Sequence, residues 1–181
     1  MKQVYILLSR TGSIPSNLIY LFTRKKYTHV SISLEPAEDK FCSYGRRRLH
    51  NVLVGGLIRE NIHGGLFELF EDCVCELFSI EVEDEAYEKL AQLMKFHFDN
   101  YDKCKYKFSA IMAMTLGKEK ELKLKLVCSQ FVAKLLHDSG ACALPKHPSL
   151  MHPSDFLSIP NMKSIYVGKI KDCHFPVDIK Q

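Results

Sequence analysis

Most of the chemistry legible in this chain belongs to Cys128, in Leu126-Val127-Cys128-Ser129-Gln130-Phe131-Val132, and to His29, in Thr28-His29-Val30-Ser31-Ile32-Ser33-Leu34. After Cys128, apolar residues recur at helical spacing (Phe131, Val132, Leu135, Leu136) and Gly140 follows, so the pattern predicts a helix over 128–137. The cysteine falls in its first turn. Backbone N–H groups there have no intrahelical partner, and with the positive dipole end they favour a thiolate and can donate to an oxyanion. A nucleophilic thiol also needs an imidazole within hydrogen-bond reach. Of the eight histidines, His29 is the best placed. It begins a strand with Val30, Ile32 and Leu34 on one side and His29, Ser31 and Ser33 on the other, which points the ring into a groove. His97, between Phe96 and Phe98, reads as structural; His147 and His152 lie in Pro-flanked loops; His50, His63, His137 and His174 read as exposed. The plain alternatives are a small buried hydrophobe at position 128 and a non-catalytic strand residue at position 29.

The elements around this pair are strands first and helices later, which predicts an α+β fold with an antiparallel sheet packed against helices. Val4–Leu8 reads as a buried strand, followed by a helix from Ser13 to about Thr23. The 28–34 strand pairs with one starting at Phe41-Cys42-Ser43-Tyr44 across a short connection. Val52–Ile62 is extended, with Gly55-Gly56 marking a bulge or a close backbone approach. Leu66–Phe70 and Val74–Val82 are expected as strands, and Asp84 as the cap of a helix with Tyr87, Leu90, Leu93, Met94, Phe98 and Tyr101 on one stripe. A helix over 108–116, an exposed connection over 118–125, a short helix opened by Pro153-Ser154-Asp155 and a last strand over 165–170 complete the expectation. No repeat or linker divides the chain, so residues 1–181 are expected to form one domain.

Composition narrows the function classes. The chain is 46% hydrophobic and 25% charged, which is globular rather than disordered. A net charge of +4 is a mild excess, concentrated in Arg24-Lys25-Lys26 and Arg46-Arg47-Arg48. Either run can meet an anionic surface, membrane included, although such runs are usually solvated turns. They lack the interleaved aromatics of single-strand binding, so no nucleic-acid partner is expected. The seven cysteines are irregularly spaced, and the N-terminal apolar stretch is too short for a secretory signal, which leads us to expect reduced thiols and a cytoplasmic location. Cys73-Val74-Cys75 lacks a second pair of matching spacing, so no metal is expected there, and the glycine pairs fit no phosphate-binding pattern; no cofactor is expected.

Thr28-His29-Val30-Ser31-Ile32 and Cys128-Ser129-Gln130-Phe131-Val132-Ala133, in that order, resemble the circularly permuted branch of the NlpC-type papain-like hydrolases, which includes YiiX-like proteins and lecithin retinol acyltransferase. The resemblance spans Val4–Gly140. It implies a papain-like fold and a Cys–His pair completed by a polar residue on the strand beside the histidine. That place falls near Cys42-Ser43-Tyr44, where relatives often carry Glu or His; here Ser43 is the local acceptor and Glu60 the charged alternative. The expected activity is hydrolysis of a peptide, amide or acyl substrate through a Cys128 thiolate. Two alternatives stand beside it: a binding module that keeps the shell without turnover, and an acyltransferase working on lipid.

Overall fold

The computed structural model describes residues 1–12, 25–48, 51–70, 72–106 and 123–175. The expected helices over 13–23 and 108–116 lie outside the described residues. The sheet comprises β1 (Lys2–Arg10), β2 (His29–Ser33), β3 (Phe41–Arg48), β4 (Asn51–Glu60), β5 (Val74–Val82), β6 (Lys105–Tyr106), β7 (Lys125–Leu126) and β8 (Lys163–Lys169). Their spatial order is β7-β6-β4-β3-β2-β1-β5-β8. Every neighbouring pair is antiparallel except β6–β7. Two α-helices are described, α1 (Asp84–Asp99) and α2 (Cys128–Ser139); they pack on each other, and α2 also packs across β2 and β3.

Strand alternation sorts side chains onto two cores. Val4, Ile6, Leu8, Val30, Ile32, Tyr44 and Leu57 meet Leu90 of α1 and Phe131, Val132, Leu135 and Leu136 of α2. Tyr5, Leu7, Phe41, Cys75 and Leu77 face the other way, onto Ile62, Phe67, Ile170, Cys173 and Phe175. With both faces covered, β2 is not the half-buried strand its alternation suggested: Ser31 and Ser33 are as inaccessible as Val30 and Ile32. Period-two polarity separates faces but cannot say whether the polar face meets water or another layer.

Residues 66–70 form turns rather than the expected strand. Gly64-Gly65 reverses the chain, with Gly65 at φ 60°, and short-range bonds follow from Phe67 N–H to Gly64 and from Phe70 N–H to Phe67. Phe67 anchors the segment in the second core while Leu69 stays 58% exposed. Helix α1 starts one residue earlier than a cap at Asp84 requires: Glu83 is the N-cap, and Asp84 is a first-turn acid near the N-terminal amine, 3.2 Å away. Tyr101 falls beyond α1 and lies under Arg47, 3.8 Å from the guanidinium carbon to the ring centre. The glycine expectation on β4 is met by a close approach, since a Cβ on Gly56 would stand 2.1 Å from the Cys104 carbonyl oxygen.

Candidate active site

His29 is the first residue of β2, and three contacts fix it. The Thr28 N–H donates to the Ser9 carbonyl at 3.0 Å, Ser9 is the cross-strand partner of His29, and Tyr27 N–H donates to Ser154 Oγ at 3.0 Å. Tyr27 is buried and its hydroxyl donates to Glu76 at 2.8 Å, so the chain entering the strand is held from both sides. Cys128 is the first residue of α2, with Val127 as an extended N-cap. The Val127 N–H donates to Gln130 Oε1 at 3.4 Å, and Gln130 Nε2 donates to the Ser149 carbonyl at 3.0 Å. Gln130 therefore ties the first turn to the Pro148–Leu150 turn, a role that its place in the sequence did not reveal. At the far end, Gly140 takes a left-handed conformation at φ 77° and closes the helix. The cysteine is 8% exposed.

Glu60, the last residue of β4, completes the site. His29 Nε2–H donates to Glu60 Oε1 at 2.7 Å, with side-chain exposures of 20% and 9%. The Cys128 side chain acts on the same ring. With Nε2 on the carboxylate, Nδ1 is the nitrogen that remains for the sulfur. Burial is the largest influence on this imidazole and disfavours its charged form, but Glu60 and Cys128 together outweigh it and raise the pKa well above 6.5. The other carboxylate oxygen, Oε2, is buried without a hydrogen-bond partner, so no second donor dilutes the pull of the charge on His29.

Ser43 does not take the orienting position. It is buried, and its hydroxyl donates to the Val30 carbonyl at 2.6 Å, a bond between neighbouring strands. A neutral hydroxyl with a nearby backbone acceptor satisfies itself locally, whereas a carboxylate has to find a donor. Of the four residues singled out from the sequence, Cys128, His29 and Glu60 are thus brought together and Ser43 is not.

Four buried side-chain oxygens among the described residues have no hydrogen-bond partner: Ser9 Oγ, Ser31 Oγ, Glu60 Oε2 and Ser129 Oγ. All belong to the site or adjoin it. Ser9 pairs with His29 across the strands, Ser31 is two residues along the same strand, and Ser129 follows Cys128.

Three residues of the basic runs have partners on the chain itself. Lys25 pairs with Asp155 at 3.5 Å and Lys26 with Glu76 at 3.6 Å, while Arg47 donates to the carbonyls of Tyr101 and Cys104 at 2.6 and 3.0 Å. Arg24 lies outside the described residues. Among the described residues, no helix is long and apolar enough to cross a membrane. Cys73 and Cys75 are buried in the second core, where the Cys75 side chain meets Cys173.

No family model and no curated protein matches the chain. Among solved structures, it is similar to the crystal structure of YiiX from Escherichia coli O157:H7, described as a metalloprotein of DUF1105. The TM-score is 0.56 at 16% sequence identity, over 93% of this chain and 98% of that one. At that identity the likeness speaks for the fold alone: a mixed α/β, YiiX-like fold.

Proposed function

We propose that this chain is a cysteine hydrolase of permuted papain-like type, acting on an amide or ester carbonyl. The observation that carries the reading is the Glu60–His29–Cys128 line at the start of a helix. His29 takes the thiol proton first; Cys128 Sγ then bonds to the carbonyl carbon as the C=O electron pair moves onto oxygen. The backbone N–H of Cys128 stands at the helix tip to receive that oxyanion. Collapse of the adduct breaks the bond to the amine or alcohol, which leaves with the proton held on His29. Water then attacks the thioester, His29 accepts its proton, and the S–C bond breaks to free the acid.

Glu60 does two things in this scheme. It fixes the ring orientation through Nε2, and its charge stabilises the imidazolium that exists between the two proton transfers. The absence of Glu or His near Cys42-Ser43-Tyr44 favours the inert-module alternative, and the contact of Glu60 with His29 supports the hydrolase reading against it. The lipid-acyltransferase alternative draws on Arg24-Lys25-Lys26 and Arg46-Arg47-Arg48 for membrane association; of these, Lys25, Lys26 and Arg47 have partners on the chain itself. The neighbour's description as a metalloprotein does not suit this trio: Glu60 binds Nε2 as a hydrogen-bond acceptor, and among the described residues the trio is not a set whose ligand atoms all lie within 4.8 Å of one another.

A panel of fluorogenic acyl and peptidyl substrates tests the proposal. We expect at least one to be hydrolysed by the wild type, to leave a thioester on Cys128 detectable by mass spectrometry, and to be untouched by Cys128→Ala. Hydrolysis surviving in that variant removes Cys128 from the mechanism.

A further inference from the structure

Away from the candidate active site, three segments bring Glu38, His63 and His174 together. Glu38 lies between β2 and β3, His63 in the turn after β4, and His174 after β8. One ligand atom from each lies within 4.8 Å of the others, and the two imidazoles are 4.8 Å apart between ring centres, tilted by 31°.

We infer that Glu38, His63 and His174 form a binding site for one Zn²⁺ ion. The ligand chemistry favours zinc over calcium and magnesium: two imidazoles and a carboxylate suit zinc, whereas calcium and magnesium take all-oxygen shells. The geometry is near what is needed. Two ligands about 2.1 Å from a tetrahedral ion stand about 3.4 Å apart, so side-chain rotation of about an ångström closes the set. Three protein ligands leave the fourth position to water.

The backbone under each ligand is already fixed. The Ile62 N–H donates to the Glu38 carbonyl at 2.9 Å, and the His63 N–H to Asn61 Oδ1 at 2.9 Å. On either side of His174, Cys173 and Phe175 are buried in the second core, and Phe175 meets Tyr5 edge-on with ring centres 5.1 Å apart. Exposed rings on anchored backbone give an ion access without asking the chain to fold around it. A bound ion would clamp the segment after β8 to the turn that follows Glu60.

The test uses the full chain after chelation. Calorimetric titration with Zn²⁺ is expected to give one ion per chain at micromolar or tighter affinity, and a Tm rise of about 5–10 °C at zinc ~100-fold above Kd. His63→Ala and His174→Ala should each weaken binding at least about 100-fold, beyond the 10–100-fold typical of lost outer-shell partners. Both rings are exposed, so these variants should keep the metal-free Tm; His63→Gln and His174→Gln serve if they do not. Co²⁺ should give tetrahedral visible bands without a thiolate charge-transfer band, and Cys128→Ser should bind like the wild type. No micromolar binding, a thiolate band, or undiminished affinity in the histidine double variant overturns the site.

Discussion

Two places in this molecule put a cysteine against a histidine, and the two imidazoles shift in opposite directions. At the first, Cys128 and His29 meet beside Glu60. At the second, Cys104 Sγ lies 3.9 Å from His97 Nδ1, which also meets the Tyr44 hydroxyl at 3.1 Å. Burial is the largest influence on both imidazoles and in both it favours the neutral ring. His97 is 4% exposed, edge-on to Tyr44, Phe131 and Phe96. With burial and then Lys134 acting on it, its pKa falls to about 4. Burial likewise raises the Cys104 thiol. At His29 the same desolvation loses to one carboxylate and one cysteine. A thiol beside an imidazole is therefore core packing by default, and a nearby buried carboxylate tips the imidazole toward its charged form.

The largest expected difference between the two places is in reactivity. In iodoacetamide competition read by peptide mass mapping, Cys128 should be alkylated at least about 100-fold faster than Cys104, because attack needs access and an activated thiolate. Equal rates would erase the contrast.

Glu60→Gln should lower kcat on any substrate found by about 100-fold with little change in KM, the pattern of a group that acts on the transition state. In the same variant, NMR titration should show the His29 pKa falling by at least about one unit while His97 stays put. A variant that moved both would mean a general loosening rather than a local charge effect.

Stability against pH should separate the pair by sign. His97 has a folded pKa below its ordinary value, so its contribution is present above about pH 6.5 and is lost as pH falls toward about 4. We expect His97→Phe to remove about 2–4 kcal/mol of acid-side slope in urea denaturation series between those limits. His29 has a raised folded pKa, so its contribution is full below about pH 6.5 and is lost on the alkaline side, as pH rises through that raised value. Glu60→Gln should flatten that alkaline slope. A common sign for both histidines would contradict the comparison.

The smallest effect is reserved for Ser43. Ser43→Ala loses the hydrogen bond to Val30 and should cost about 1 kcal/mol of stability, with kcat/KM within about twofold of wild type. A large loss of activity at unchanged stability would return Ser43 to the site.

What was legible from the residues follows from local rules. Cys128 in a first turn, Gly140 as a left-handed stop and the strand at His29 depend on periodicity, caps and backbone dihedrals, which act within a few residues. Gly64-Gly65 shows the limit: the apolar run behind it reads as strand, but the reversal leaves Phe67 buried, Phe70 partly buried against the same core and Leu69 outside. The choice between Ser43 and Glu60 was not legible, because Ser43 stands on the strand beside the histidine and Glu60 one strand further out, and pattern carries no distance. Nothing in the order of residues joins positions 44, 97 and 104, or 38, 63 and 174. By itself the sequence determined which side chains had chemistry to offer and on what kind of element each would stand. Only the tertiary structure decided which of them met, since burial and the fields of neighbouring charges exist only once distant segments are packed together.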